Sequence, residues 1–269
     1  MQITISETPS ATLKNLFWDI FFTSKNRGIS LERHFPWLEN SSCNVAFFEA
    51  TMSSVVIGGL VLRQRNYVID GKEIKIGMIG LVCVASENRG VGIAAELLKK
   101  TIAYADNEGY DYLTLWTNQH HIYASQKFYV ADPWLYGWVQ TDNCFKKLDG
   151  NNKTISESKS TPLPPFATAA FEYSLGCLSF TLLKDKEGDI VIEYKGHAAD
   201  LGLFMIQTLS DRWRLNVVKN DPLISALMNY GADVKLSAVN LQMWLDLRES
   251  HQQASIIEEI PIPGSPLIQ

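Results

Sequence analysis

The pattern of apolar and polar positions changes from helical to strand-like within the first third of the chain. In residues 11–39, apolar side chains recur at three- and four-residue steps, which predicts one or two amphipathic helices with one buried face. Runs rich in β-branched and aromatic residues follow and predict strands at 44–50, 53–63 and 74–85. The last of these runs is apolar at nearly every position, as is typical of a central strand covered on both faces.

The middle of the chain alternates helix-like and strand-like segments. An apolar stripe from Ile93 to Ala105 predicts a helix that ends near Gly109. The segments after it predict a strand at 112–117, a helix at 123–130 and a strand at 135–140. This order places antiparallel strands first, then a central strand, and then helices that alternate with strands.

The chain beyond residue 165 repeats the order of these later elements. We predict paired strands at 178–183 and 190–194, a helix at 198–209, a strand at 213–218, a helix at 222–230 and a strand at 241–247. Repetition at this scale suggests duplication of a domain. Residues 151–165 are polar and rich in Ser, Thr and Pro, which predicts a linker. The predicted domains are therefore 1–150 and 166–269.

Composition and charge exclude several classes of partner. The chain has 269 residues, of which 46% are hydrophobic and 20% charged, and its formal net charge is −5. It therefore lacks the broad basic surface that non-specific nucleic-acid binding requires, and a neutral or cationic small substrate is favoured. No segment resembles a signal peptide or reaches the length of a membrane span, so we expect a cytoplasmic protein with no membrane partner.

The cysteines do not predict a metal site. They are widely separated in the sequence and have no His neighbours at the spacing of metal ligands: Cys43, Cys83, Cys144 and Cys177. We therefore expect thiols in a reducing compartment and no bound metal.

A loop of small residues follows the central strand and carries the clearest chemical signal. Residues 89–94 read Arg-Gly-Val-Gly-Ile-Ala and lead into the amphipathic helix. Successive backbone N–H groups at a helix N-terminus form an anion site, and glycines let a ligand approach the backbone closely. The loop lacks the Gly-Lys-Ser/Thr ending of a nucleotide P-loop and the third glycine of a dinucleotide fingerprint. A connection without any ligand is the remaining alternative on the residues alone.

In its wider context the loop resembles a known motif. The pattern Arg-x-x-Gly-x-Ala at 89–94, after an apolar strand and before Glu-Leu-Leu-Lys-Lys, resembles the acyl-CoA-binding motif of the GNAT superfamily of N-acetyltransferases. Residues 124–129 resemble the second signature of that family, a helix that carries a Phe-Tyr or Leu-Tyr pair. The resemblance covers about residues 44–140. The family commonly follows its Tyr with a Gly-Phe pair, whereas the stretch after Tyr129 reads Val130-Ala131-Asp132-Pro133-Trp134.

This resemblance implies an α+β fold in αβα layers. The first domain would have a mixed, mostly antiparallel sheet flanked by helices, and the second would be a smaller, degenerate GNAT-like α/β domain. The second half has no equivalent of the Arg-x-x-Gly-x-Ala loop, so it is expected to have lost the cofactor. It could supply a wall of the acceptor site, the surface of a homodimer, or only stability.

The resemblance also implies roles for individual residues in binding acetyl-CoA. The backbone of Val82, Cys83 and Val84 would pair with the pantetheine arm like an added strand. Asn118 would contact the pantetheine side of the cofactor. The pyrophosphate would be held by the backbone amides of one continuous run: Arg89, Gly90, Val91, Gly92, Ile93 and Ala94.

The implied reaction is transfer of an acetyl group from acetyl-CoA to an amine by direct attack in a ternary complex. It needs an unprotonated amine, a donor for the oxyanion and a proton for the leaving thiolate. Tyr129 is the predicted general acid and the Val84 amide the predicted oxyanion donor. The candidate bases share only a suitable position in the predicted fold: Glu49, Glu73, His120 and His121.

Two other functions remain open from the sequence. A non-catalytic CoA-binding or interaction module would share the loop but would show binding without turnover. A purely structural role has little support because of the loop. Neither the acceptor amine, nor the preferred acyl chain, nor the oligomeric state can be inferred from these residues.

Overall fold

Two compact units make up the computed structural model, which describes residues 1–38, 44–142, 153–158 and 163–248. The first unit contains Met1–Ala131 together with residues 240–248, and the second contains Asp132–Val239. Each unit has its own sheet and its own apolar core. Within the described residues, no helix is long and apolar enough to cross a membrane.

The first unit is built on a seven-stranded sheet in the order β1-β2-β3-β4-β5-β14-β6. Its strands are β1 Gln2–Ser6, β2 Val45–Met52, β3 Val55–Ile69, β4 Lys72–Val84, β5 Tyr112–Trp116, β6 Tyr129–Val130 and β14 Gln242–Asp246. Its helices are α1 Ala11–Phe21, α2 Leu31–His34, α3 Ile93–Asn107 and α4 His120–Ala124. All neighbouring strands are antiparallel except β4 and β5. The predicted mixed, mostly antiparallel sheet is confirmed.

Helices cover both faces of this first sheet. The amphipathic helix α3 buries Leu97 and Leu98 against one face, where they join the largest core cluster. Helix α1 buries Leu13 and Phe17 against the other face. The Ser10 hydroxyl oxygen caps α1 by accepting the Leu13 backbone N–H at 3.0 Å. The αβα layering therefore follows from the apolar stripes that the sequence shows.

The second unit repeats the architecture on a smaller scale. Its sheet has the order β13-β7-β12-β11-β10-β9-β8. The strands are β7 Trp134–Gln140, β8 Thr154–Glu157, β9 Ala169–Leu175, β10 Leu178–Lys184, β11 Ile190–Lys195, β12 Arg212–Val218 and β13 Asp233–Ala238. Helices α5 Ala198–Thr208 and α6 Pro222–Asn229 pack on the core of this sheet. Here too the single parallel pair, β11 and β12, is flanked by antiparallel pairs.

The two sheets have the same strand order, but β7 of the predicted first domain joins the second sheet, and β14 of the predicted second domain joins the first. Strand β7 lies between β12 and β13 of the second sheet, and β14 lies between β5 and β6 of the first. The predicted boundaries at 150 and 166 therefore differ from the division in the structure. An apolar pattern predicts that a strand exists, and it does not specify which sheet the strand joins.

Two local predictions also differ from the structure. The predicted linker 151–165 contains strand β8, which pairs with β9, while 151–152 and 159–162 lie outside the described residues. The helix predicted at 123–130 is the shorter α4, followed by β6. The backbone of Lys127 has a φ of 67°, which is incompatible with a continuing helix.

Strand β14 is held in the first sheet by its buried residues. The side chain of Trp244 is 1% exposed, packs edge-to-face on Tyr112, and donates its indole N–H to the Ala131 carbonyl at 3.0 Å. Gln242 donates to the Thr114 hydroxyl, which in turn donates to the Met243 carbonyl, at 3.1 and 3.0 Å. The sheet of the first unit therefore depends on residues near the end of the described chain.

We predict that Trp244→Ala destabilises the first unit, although residue 244 lies more than a hundred positions beyond β6. Removing a buried Trp typically costs about 3–5 kcal/mol of unfolding free energy. Hydrogen exchange should therefore accelerate at the amides of β5 and β6. Met228→Ala is the control, because Met228 is 57% exposed on α6. Faster exchange confined to the second sheet would contradict the strand assignment.

Candidate functional site

Strand β4 continues beyond its pairing with β5 and has an unpaired edge there. Parallel pairing joins Ile76–Met78 to Tyr112–Thr114, whereas β4 continues to Val84. The backbone N–H of Ala85 donates to Ile57 on β3 at 2.9 Å. Because N–H groups alternate in direction along a strand, the N–H of Val84 points away from β3, towards the side from which β5 has diverged. An extended ligand could therefore pair with this end of β4.

A β-bulge lies at the start of this opened segment. Gly59 pairs with Cys83 and Val61 with Gly80, so the two residues Leu81 and Val82 face a single residue of β3. Leu81 has a φ of 51°, a conformation that costs free energy for a residue with a side chain. Bulges bend and twist a strand, and this one accompanies the divergence of β4 from β5.

The loop between β4 and α3 supplies unpaired backbone amides. After a 3₁₀ turn at Ser86–Asn88, Gly90 and Gly92 adopt φ values of 83° and 87°, and α3 begins at Ile93. A Cβ atom at either glycine would meet nothing within 4 Å. The first N–H groups of α3 have no partner within the helix, and no side chain caps them. The loop therefore presents donors to open space at the positive end of a helix dipole.

Arg89 lies at the junction of the loop and the opened strand. Its Nε–H donates to the Val84 carbonyl at 3.0 Å. This hydrogen bond holds a cation at the end of β4, beside the amides of the loop. The arrangement favours an anionic group at this position.

Together these elements enclose a cavity of about 250 Å³. Its walls are Val82–Val84 of β4, Asn88–Gly90 and Gly92–Ala94 around the start of α3, and Ile122 and Tyr123 of α4. The structure thus brings together eight of the ten predicted cofactor-binding residues. Of the other two, Val91 is 73% exposed and Asn118 follows β5 outside the lining.

Tyr123 is a lining residue that the sequence analysis missed. Its side chain is buried and packs edge-to-face on Phe128 with ring centroids 6.1 Å apart, and burial raises its pKa to about 12. A signal for it exists in the sequence. Ile122-Tyr123 matches an aliphatic–Tyr pair, and Lys127-Phe128 then stands where the family has Gly-Phe. Lys127 adopts the left-handed φ that a glycine takes easily.

Tyr129 lies far from the cavity, and this corrects its predicted role. Tyr129 pairs with Trp244 on β14, Trp244 pairs with Thr114 on β5, and Thr114 pairs with Met78 on β4. Tyr129 is therefore level with Met78. Met78 precedes Val84 by six residues, about 20 Å along an extended strand. The Tyr129 hydroxyl donates to Asp246 at 2.9 Å, and burial and Asp246 together raise its pKa. Tyr129 therefore lies on the edge strand of the sheet and cannot reach a group bound at Val84.

The candidate bases differ sharply in position. Glu73 lies at the far end of β4, eleven residues or about 35 Å of extended strand before Val84, and accepts a 2.7 Å hydrogen bond from Asn66. Glu49 accepts a hydrogen bond from Ser10. Gly59 pairs with Glu49 on one side and with Cys83 on the other, and the Leu13 side chain of α1 packs over Gly59, so it lies between them. Neither glutamate lines the cavity.

The two histidines lie on α4 beside Tyr123. His121 is exposed. His120 is half-buried, and its Nε2 atom is buried without a hydrogen-bond partner. His120 and Tyr123 are three positions apart and so share a face of the helix. Among the four candidates, His120 is therefore the one whose partly buried side chain shares a helix face with a residue of the cavity.

The corresponding connection of the second unit is much shorter. Only Gly196 and His197 separate β11 from α5, whereas eight residues separate β4 from α3. A Cβ atom at Gly196 would lie 2.4 Å from the Leu178 side chain. The Tyr194 hydroxyl donates at 2.6 Å to Asp221, which caps α6. The second unit therefore has no loop comparable to the one between β4 and α3.

Metal chemistry has no visible ligand set in the described part of the chain. Among residues 1–38, 44–142, 153–158 and 163–248, no group of three His, Cys, Asp or Glu side chains is arranged to hold a metal ion.

Comparison with known proteins identifies the family of the first unit. Residues 15–131 match the family model described as an acetyltransferase (GNAT) domain. A search of curated proteins found none that matches this sequence.

Several solved structures share the fold. A probable N-acyltransferase from Enterococcus faecalis is 10% identical, with a TM-score of 0.66 over 92% of this chain and 73% of its own. A GCN5-related N-acetyltransferase from Kribbella flavida is 14% identical, with a TM-score of 0.63 over 91% and 72%.

A tandem GNAT protein from the clavulanic acid biosynthesis pathway is 10% identical, with a TM-score of 0.56 over 93% of this chain and 100% of its own. At such low identity these structures show the shared fold alone. The family model alone identifies the domain: residues 15–131 match an acetyltransferase domain of the GNAT family.

Proposed function

We propose that the protein is an N-acetyltransferase that transfers an acetyl group from acetyl-CoA to an amine. The observation that carries the proposal is the cavity in which the opened edge of β4 meets the glycine loop at the start of α3. An extended amide-containing arm and a pyrophosphate are the two groups that such a strand edge and such a loop bind.

The residues present fit this donor. Gly90 and Gly92 leave open space in front of the loop amides, and Arg89 adds a positive charge beside them. Val84 offers a backbone N–H towards the cavity, where it would donate to the carbonyl oxygen on which negative charge develops. Acetyl-CoA, when bound, supplies the acetyl group, and the amine displaces the CoA thiol.

Direct attack by the amine is favoured over transfer through the protein. Cys83 lines the cavity, but burial raises its pKa to about 12. A thiol is nucleophilic only as the thiolate, so Cys83 is a poor acceptor of an acyl group near neutral pH. Donor and acceptor must therefore be bound together.

Tyr123 replaces Tyr129 as the proposed general acid. It lines the cavity opposite the opened strand, and its raised pKa keeps the hydroxyl protonated at neutral pH. A thiol has an ordinary pKa of about 8.5, so a departing thiolate is a weaker base than a Tyr phenolate. The hydroxyl therefore acts first as a hydrogen-bond donor to the leaving sulfur.

His120 is the proposed base for the amine. Its buried Nε2 has no partner, and it shares a helical face with Tyr123. An alkylamine with a pKa near 10.4 is mostly protonated at neutral pH, so a nearby base lowers the barrier to attack.

Ala94→Glu should weaken binding of acetyl-CoA at least tenfold. Ala94 lines the cavity in the first turn of α3, and a carboxylate there would repel the pyrophosphate. Calorimetry measures the affinity. Ala95→Glu is the matched control, since it adds the same charge one position on, outside the lining. Equal affinities for the two variants would contradict the assigned cradle. Gly92 is less suitable, because its φ of 87° strains any replacement.

Tyr123→Phe should lower kcat by about 10²-fold or more, in the range of general acid catalysis. Affinity for acetyl-CoA should stay unchanged, because only the hydroxyl is lost. Tyr129→Phe is the control and removes only the bond to Asp246. Thiol release under saturating acetyl-CoA measures both. In the wild type, burial raises the pKa of Tyr123 to about 12, so ionisation of its hydroxyl should not reduce activity below about pH 12. A larger defect in Tyr129→Phe would reverse the assignment.

His120→Gln should reduce turnover with an alkylamine at neutral pH, and raising the pH should partly restore it. At higher pH more of the amine is already neutral, so the missing base matters less. The measurement is the pH dependence of kcat/KM for His120→Gln beside His121→Gln, whose histidine is exposed on the same helix. Identical profiles for the two variants would remove His120 from the mechanism.

A further inference from the structure

The connection between β5 and β6 carries α4, and the start of β14 holds both ends of this α4 loop, residues 117–131. At the first end, the Thr117 backbone N–H donates to the Leu241 carbonyl at 2.8 Å. At the other end, the Ala131 N–H donates at 3.1 Å to the carbonyl of Gln242, the residue that follows Leu241. Two consecutive residues therefore bring the two ends of the α4 loop together.

Side chains add to this backbone contact. Trp244 donates its indole N–H to the Ala131 carbonyl at 3.0 Å, so β14 binds both backbone groups of Ala131. The Gln242 side chain is 1% exposed and donates to the Thr114 hydroxyl at 3.1 Å, and this hydroxyl donates to the Met243 carbonyl. A buried hydrogen bond with both partners satisfied restricts movement. The start of β14 is therefore fixed to β5 by side chains as well as by strand pairing.

Helix α4 is a weak element without these contacts. It has five residues, and no side chain caps its N-terminus. Helices this short are unstable in isolation, so their position depends on the structure around them. Tyr123 is the buried residue of the helix, and the chain leaves it through Lys127 in a left-handed conformation. The direction in which Tyr123 and His120 face therefore depends on how the ends of the loop are held.

The residues that would bind the donor are held by a different strand. Cys83 pairs with Gly59 and Val84 with Gly58, both on β3. A Cβ atom at Gly58 would lie 3.3 Å from the Ile93 side chain, so the start of α3 also packs closely on β3. The opened edge of β4 and the glycine loop are therefore anchored by β3, whereas the α4 loop is anchored by β14.

We propose that the start of β14 positions the groups that act on the acyl donor, with Gln242 as the positioning residue that keeps Tyr123 facing the cavity. The chain returns to the first unit at Asn240, after the whole of the second unit. Residues that follow the second unit in the sequence therefore contribute to catalysis without lining the cavity. This inference rests on the proposed function of the site.

Gln242→Met tests the positioning role. The replacement has a similar volume but cannot donate to Thr114, whose own hydrogen bond to Met243 remains. Thiol release from saturating acetyl-CoA measures kcat with n-butylamine, lysine or spermidine, whichever the wild type acetylates fastest. We expect kcat to fall by about tenfold to 10²-fold, since misplacing a catalytic group by about 1 Å has this effect. An unchanged kcat would overturn the proposal.

Affinity for acetyl-CoA in Gln242→Met should match that of the wild type, because the residues that would bind the donor are anchored by β3. Calorimetry measures this affinity and also shows that the variant is folded. Asp246→Ala is the matched control at the other end of β14. It removes the hydrogen bond from Tyr129 and leaves the ends of the α4 loop held, so its kcat should stay near that of the wild type. An equal loss of kcat in the control would contradict a specific role for Gln242.

Thr114 provides a second pair of variants that does not depend on the folding of Gln242→Met. Thr114→Val removes the hydroxyl at nearly constant volume and should lower kcat as Gln242→Met does. Thr114→Ser keeps the hydroxyl and should retain the kcat of the wild type. Equal losses in both variants would indicate that packing of the Thr114 methyl group matters and the hydrogen bond does not, which would count against the proposal.

Hydrogen exchange gives a readout that is independent of turnover. In Gln242→Met, amides of residues 118–128 should exchange faster, while those of α3, residues 93–107, should exchange as in the wild type. Equal acceleration in both segments would show a general loss of stability of the first unit and would overturn the positioning role.

A double variant tests whether Gln242 acts through Tyr123. The comparison is made at alkaline pH, where more of the amine is neutral and His120 matters less. Gln242→Met should lower kcat less in Tyr123→Phe than in the wild type, because the hydroxyl that it positions is already absent. Losses that multiply would show that Gln242 acts independently of Tyr123, against the proposal.

Binding of acetyl-CoA separates this inference from the function on which it rests. If the wild type binds acetyl-CoA but acetylates none of the three amines, the proposed transferase function is wrong and the positioning role falls with it. If Tyr123→Phe lowers kcat and Gln242→Met does not, the transferase function stands and only the positioning role is wrong.

Discussion

The early end of hydrogen bonding between β4 and β5 is the constraint on which the site depends. Past Met78 and Thr114 the two strands no longer pair, so the N–H of Val84 on β4 has no partner on β5. Unpaired backbone groups are costly inside a protein unless something binds them. The bulge at Leu81 allows this divergence, and the glycine loop and α4 enclose the space that results. In the second unit β11 and β12 also stop pairing early, after Val191 and Leu215, but only a short turn follows β11, and the Tyr194 hydroxyl donates to Asp221 at the start of α6.

Much of the first unit could be predicted from the sequence because its elements have strong local signals. Apolar periodicity predicted α1 and α3, and β-branched runs predicted β2 to β4. Short exposed strands were missed: β1 and β8 have few buried positions, so their patterns do not differ from those of loops. The exchange of β7 and β14 could not be predicted either, since strand pairing over long sequence distances leaves no local trace.

The site was predicted well where the backbone defines it and poorly where side chains do. Glycines, a preceding strand and a following helix determine where amides point, and these features are visible in sequence. Tyr129 was chosen because it follows a Phe, but its register on β14 places it level with Met78, in the middle of β4. The sequence did not indicate Tyr123 because Lys127 stands at a left-handed position where the family motif has glycine.

The exchange of β7 and β14 has a consequence for how the protein is made. As the chain leaves the ribosome, β5 and β6 emerge well before β14. The first sheet therefore lacks the strand between them until the second unit and β14 have been synthesised. Contacts between residues so far apart in sequence slow folding, and exposed strand edges invite wrong pairing. Strand β7 is synthesised before its partners β12 and β13 and can pair only after they have been made. The first unit therefore completes its sheet only after β14 has been synthesised, whereas the second unit, Asp132–Val239, is continuous in the sequence and can fold before then.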